Sequence, residues 1–197
     1  MQLVIGIGLG ILVYVALATF VLWLRRRGTD DGSVSFAAVI ATWLTYLVHA
    51  DTVVAAAFLD PWRIPVNDQV ALGAGVLVGL VGIVLFVVST RTLLAGAEIE
   101  NLRPWRLVTG GPYRRSRHPQ DQAWVLLLLA VALVGRSALA VLVVLIFFWF
   151  LSRLWVHEEQ QLAAWFEDDW TRYRADTPSF AFPTRIARLL PVTLSSR

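Results

Sequence analysis

Apolar residues along this chain come in long unbroken blocks, not in alternation or on one helical face. Leu3 to Leu24 is an uncharged run of 22 residues. At ~1.5 Å per residue it reaches about 33 Å, enough to cross a ~30 Å hydrocarbon core. It is too long for a signal-peptide core and has no basic start. Arg25, Arg26 and Arg27 close it. Val34 to Leu59 predicts a second span, interrupted by His49 and Asp51. A polar stretch with Asp60, Pro61, Arg63, Pro65, Asn67 and Asp68 separates it from a third, Val70 to Thr90, which ends at Arg91.

Ala123 to Ser152 holds 30 residues with one interruption, Gly135-Arg136-Ser137. A single helix of that length would be about 45 Å, beyond the core. A hairpin of two helices turning at Gly135 fits better than one tilted span with a costly buried Arg136. Arginine counting supports it. With five helices and the N-terminus outside, Arg63 and Arg136 lie outside and the other 15 of the 17 arginines inside, a strong positive-inside bias. Trp23, Trp62, Trp105 and Trp155 fall near the expected interfaces, as an aromatic belt requires. Gly6/Gly10 and Gly75/Gly79 have the spacing that lets membrane helices approach closely.

Composition agrees. The chain of 197 residues is 57% apolar and 16% charged, against ~45–50% and ~25% in soluble domains. The expected fold is all-α and integral to a membrane, with five transmembrane helices, a C-terminal helical hairpin and a cytoplasmic amphipathic helix. It forms one membrane domain over 1–197. Three N-terminal spans occupy 1–94, and a more polar region, 95–185, includes the hairpin 120–156. With no cysteine there is no disulfide, thiolate metal site or cysteine nucleophile. Three histidines do not make a zinc motif, so no metal is expected. A basic balance in such a chain sets topology and does not point to nucleic acid.

The hairpin brings two polar segments together at its feet. One reads Thr109-Gly110-Gly111-Pro112-Tyr113-Arg114-Arg115-Ser116-Arg117-His118-Pro119. Gly-Gly-Pro marks a turn, and Pro119 is tolerated in a first helical turn. The other begins His157-Glu158-Glu159 and continues with Leu162, Trp165, Phe166, Trp170 and Tyr173 at helical spacing. Packed helices sit ~8–10 Å apart, so His118 and Glu158 can be neighbours at the membrane surface. Carboxylates there need a cation or an arginine beside them. On the second span Thr42, Thr45, Tyr46, His49 and Thr52 share one face. They serve either hydrogen bonds between helices or the wall of a substrate cavity, with Thr45, Tyr46 and His49 the candidates for substrate contact.

Taken together, Gly111, Pro112, Tyr113, Arg117, His118, Pro119, Glu158, Glu159, Leu162, Phe166, Tyr173, Pro178 and Pro183 resemble, in order and spacing, the isoprenylcysteine carboxyl methyltransferase and phospholipid methyltransferase superfamily. Trp170 stands where a tyrosine is usual. The resemblance covers roughly 100–185. Three positions depart from it: Asp121 replaces a tyrosine, Ala123 a glycine, and Glu167 the glycine after Phe166.

The resemblance implies an enzyme that uses S-adenosylmethionine, bound on the cytoplasmic side by Tyr113, Arg117, His118, Pro119, Asp121, Glu158 and Glu159. His118, Glu159 and Arg117 are its catalytic candidates. It also implies a lipophilic acceptor entering from the bilayer, in a multi-pass protein of a prokaryotic cell membrane. The acceptor could be a carboxylate, an amine or a thiol. Two other classes compete: a membrane reductase of the sterol-reductase type using NADPH, and a non-enzymatic protein on the same scaffold. Oligomeric state is open.

Overall fold

A computed structural model of the chain describes residues 2–27, 36–60, 62–96, 99–100, 103–104 and 106–181. Among the described residues five α-helices make the fold: α1 (Gln2–Arg27), α2 (Phe36–Leu59), α3 (Asp68–Gly96), α4 (Pro119–Val134) and α5 (Ala138–Asp176). A short antiparallel pairing, Ile99–Glu100 with Arg103–Pro104, and a 3-10 turn, Gly111–Arg114, lie between α3 and α4. By length and composition α1, α2, α3 and α5 can each cross a membrane, and α4 is a shorter apolar helix of 16 residues. Residues such as Leu12, Trp43, Leu77, Val84 and Leu145 face outward, which is favourable only in lipid. Trp105, Pro183 and the C-terminal Arg185, Arg188 and Arg197 lie outside the described residues.

The core forms where α5 meets α1 and α2. Tyr14, Val21, Val53, Phe147, Phe150, Leu151 and Leu154 are buried there. α3 lies along α4. A Cβ on Gly75 would come within 2.5 Å of Val134 Cγ2 and 3.0 Å of the Ala130 carbonyl, so only glycine permits this approach.

The turn between α4 and α5 confirms the hairpin. A Cβ at Gly135 would fall 2.3 Å from the Ala57 carbonyl. The left-handed residue is the next one, Arg136, with φ 50°. Asp60 accepts hydrogen bonds from Ser137 Oγ (2.6 Å) and from the backbone N–H of Trp62 (2.8 Å) and Leu139 (3.1 Å). Arg63 donates to the Gly135 carbonyl at 2.6 Å, and Arg136 pairs with Asp68 at 2.7 Å. Arg63 and Arg136 therefore share one end of the bundle, opposite His118.

Two expectations need correction. The polar C-terminal helix is not separate from the last span. α5 is one continuous helix from Ala138 through Ser152 to Phe166, about 43 Å, because no breaker stands between Ser152 and Phe166. Its apolar part ends at Val156, and the bend comes at Glu167 (φ 43°, ψ −112°), where the superfamily pattern has glycine. Trp155 is not a belt residue either. It is buried in the core, whereas Trp23 and Trp62 are exposed.

Candidate active site

The site is built where the start of α4 meets the polar continuation of α5. Gly111 takes φ 55°, and a Cβ there would meet Thr92 Oγ1 at 2.9 Å. This turn delivers Tyr113, buried, with its carbonyl accepting from Tyr173 Oη at 2.7 Å. His118 then precedes α4, and Pro119 opens it. A strap formed by residues 177–181 runs beside this entry. The Arg117 N–H donates to the Pro178 carbonyl (2.9 Å), Ser116 Oγ to the Ser179 carbonyl (2.9 Å), and Gln122 Nε2 to the Ala181 carbonyl (3.0 Å).

At the centre, Arg117 donates to Glu159 Oε1 through Nε (3.0 Å) and Nη2 (2.8 Å). Its Nη2 also reaches Ser179 Oγ at 2.5 Å, and its Nη1 bonds the Thr177 carbonyl. His118 stands between the two glutamates, with Nε2 3.2 Å from Glu159 Oε1 and Nδ1 3.6 Å from Glu158 Oε2. Its ring stacks on Trp155 at 4.7 Å and 9°. Burial alone would raise the Glu159 pKa. Hydrogen bonds from His118 and Arg117, with the guanidinium charge, outweigh it and hold the group down to about 2. Burial raises that of Glu158, and the neighbouring Asp121 adds to the rise. The two adjacent glutamates thus differ: Glu159 Oε1 is held by Arg117, His118 and Ser179, and among the described residues Glu158 pairs with His118 alone.

Asp121 joins this group from α4. It accepts from Tyr46 Oη and from Trp155 Nε1, each at 2.6 Å. Arg117, one turn away in sequence, is turned to Glu159 and not to Asp121. One ligand atom each from His118, Asp121 and Glu158 lie within 4.8 Å of one another. Such a set can surround a positively charged group or a metal ion, a possibility that the lack of cysteine and of a second motif histidine had set aside.

The polar stripe of α2 is divided. Tyr46 and Thr42 line a cavity of about 360 Å³ at the same end of the bundle, with Asp121, Gln120, Trp124 and Arg25. Thr45 and His49 are fully buried elsewhere. Thr42, Thr45 and Thr52 each donate back to the carbonyl four residues earlier, so these hydroxyls make no bonds between helices. His49 stacks on Phe147 at 4.1 Å and lies 4.9 Å from Tyr14.

The structure therefore gathers Arg117, His118, Pro119, Asp121, Glu158 and Glu159 at one place and sets Tyr113 beside them. Thr45 and His49 stand apart. Sequence reasoning missed Trp155, Ser179 and Arg25. Trp155 lies three and four residues before the glutamates, on the same helical face, a signal available in the sequence. The other two carry none.

A family model described as phospholipid methyltransferase matches residues 70–169. It takes in α3, α4 and most of α5, so it begins earlier than the motif resemblance and includes the third span. No curated protein and no solved structure matches the chain.

Proposed function

The chain belongs to the phospholipid methyltransferase family, and from that premise we propose that it transfers a methyl group from S-adenosylmethionine to a lipophilic acceptor reached from the bilayer. The observation that carries the reading is the set of His118, Asp121 and Glu158, whose ligand atoms lie within 4.8 Å of one another beside the Arg117–Glu159 pair. S-adenosylmethionine carries an ammonium, a sulfonium and a ribose diol. A half-exposed carboxylate next to a second carboxylate and an imidazole fits those groups by charge and by hydrogen-bonding capacity.

When bound, the sulfonium supplies an electrophilic methyl group for in-line displacement. The protein's task is alignment and exclusion of water. Glu158 and Asp121 hold the cationic part. Arg117 and Glu159 are positioning residues: they tie α5 to the 116–119 segment and to the 177–179 strap, and so fix the His118 ring between Trp155 and the two carboxylates. A thiolate or carboxylate acceptor gives up no proton. An amine acceptor gives up one, and His118 or Glu158 is placed to take it.

Arg25, Arg91, Arg114 and Arg174 lie at the site end of the bundle, and among the described arginines Arg63 and Arg136 lie at the other. By the positive-inside rule this distribution supports a site on the cytoplasmic side. The test is calorimetric titration of purified protein with S-adenosylhomocysteine and with NADPH, followed by transfer of labelled methyl groups into extracted lipids. Binding of NADPH and not of S-adenosylhomocysteine would replace this reading with the reductase one. Binding of neither would leave a non-enzymatic scaffold.

A further inference from the structure

The cavity beside Asp121 is walled by Tyr46, Trp43 and Phe86, and its charged lining residues are Arg25 from α1 and Asp121 from α4. Asp121 already has a hydrogen bond on each oxygen, from Tyr46 and Trp155. The donors are what lack partners. Among the described residues, Arg25 Nε and Trp124 Nε1 are buried without an acceptor, and both residues line this cavity. A buried N–H left unpaired is unfavourable, and more so when it is charged. Two such donors in one chamber, one of them a guanidinium, describe a space shaped for an acceptor-rich, negatively charged group. Asp121 lines this cavity and also stands within 4.8 Å of His118 and Glu158, ligand atom to ligand atom, so the chamber adjoins the proposed methyl-transfer site.

We propose that Arg25, on α1 and outside the family match, recognises an anionic group of the methyl acceptor, a phosphate or a carboxylate carried on an amphiphile whose chain lies along Trp43 and Phe86. The first helix, which carries no methyltransferase motif, then sets acceptor choice. Calling the ligand the acceptor rests on the methyl-transfer reading; anion binding at Arg25 does not. Trp124 contributes a second donor from α4, and Asp121 turns away amphiphiles whose anion would reach past Arg25.

The test uses purified protein in a neutral maltoside detergent and titrates four single-chain probes: dodecyl phosphate, dodecanoate, dodecanol and dodecyltrimethylammonium. Wild type binds the phosphate or the carboxylate at least tenfold more tightly than the alcohol and the ammonium, and the ratio of the first two says which anion the chamber prefers. Arg25→Gln removes that preference, and Arg25→Lys keeps part of it. Arg26→Gln, at an exposed neighbour, leaves it intact. Equal affinity for anionic and neutral probes in wild type overturns the proposal. So does equal loss in Arg25→Gln and Arg26→Gln, which would mean a diffuse basic rim. S-adenosylhomocysteine titrated in parallel binds Arg25→Gln as it binds wild type. Its failure to bind any of these proteins would sink the methyl-transfer reading and leave the anion chamber standing.

Discussion

Replacing Glu167 with glycine should make the protein more stable, although the substitution removes a side chain and adds none. Glu167 holds φ 43° and ψ −112° inside α5, a conformation that costs a non-glycine residue about 1–3 kcal/mol. Its side chain is exposed, so little packing is lost. Its carbonyl still accepts from Thr171 Oγ1. Against the relief stands the greater freedom of glycine in the unfolded chain, about 0.5–1 kcal/mol. The balance is roughly 1 kcal/mol in favour of Glu167→Gly, or about 2–4 °C in melting temperature for a chain of this size. Glu167→Ala keeps the Cβ and should melt within about 0.5 kcal/mol of wild type. The assay is thermal unfolding of the three proteins in one detergent. Affinity for S-adenosylhomocysteine should not change, because the bend that returns Thr177–Ser179 to Arg117 is the same. A Glu167→Gly protein that melts at or below wild type would refute the argument, for it would show that the bend is not strained.

Three further outcomes follow from the site. Glu159 has its pKa held down to about 2 by His118 and Arg117, so it stabilises the fold above its ordinary unfolded value and loses that contribution as pH falls towards 2; melting temperature should drop over this window in wild type and much less in Glu159→Gln, and an equal acid drop in both would remove the clamp. Glu158→Gln should weaken S-adenosylhomocysteine binding at least tenfold, ~1.4 kcal/mol, with little change in melting, whereas Asp169→Asn on the exposed face should do neither; titration calorimetry decides, and equal small effects would make Glu158 a solvated carboxylate. For topology, cysteine placed at the exposed Trp62 should react with an impermeant thiol reagent in intact cells, and cysteine placed at the exposed Arg114 only after permeabilisation; the reverse pattern would invert the orientation.

The sequence by itself determined the spans, the hairpin and the motif. Length and hydropathy suffice for a membrane helix, since the bilayer is a solvent of fixed thickness. Gly135-Arg136-Ser137 located the turn because thirty apolar residues cannot stay in one helix within that thickness. His118 and the glutamates were legible as neighbours because a hairpin returns the chain to the same face. Only the tertiary structure decided how they divide the work. Glu158 and Glu159 are adjacent, but one residue turns a helix by about 100°, and which of the two meets Arg117 depends on how α5 is rotated against α4. Asp121 was legible as a cofactor contact; that Tyr46 from α2 and Trp155 from α5 hold it was not. Trp155 and Arg25 looked like interface residues by position, one a belt aromatic and the other a topology marker. The packing of α1, α2 and α5 turned one into the wall behind His118 and the other into a cavity. Periodicity fixes which residues share a face; what that face touches is set by the register and rotation of neighbouring helices, which local sequence does not encode.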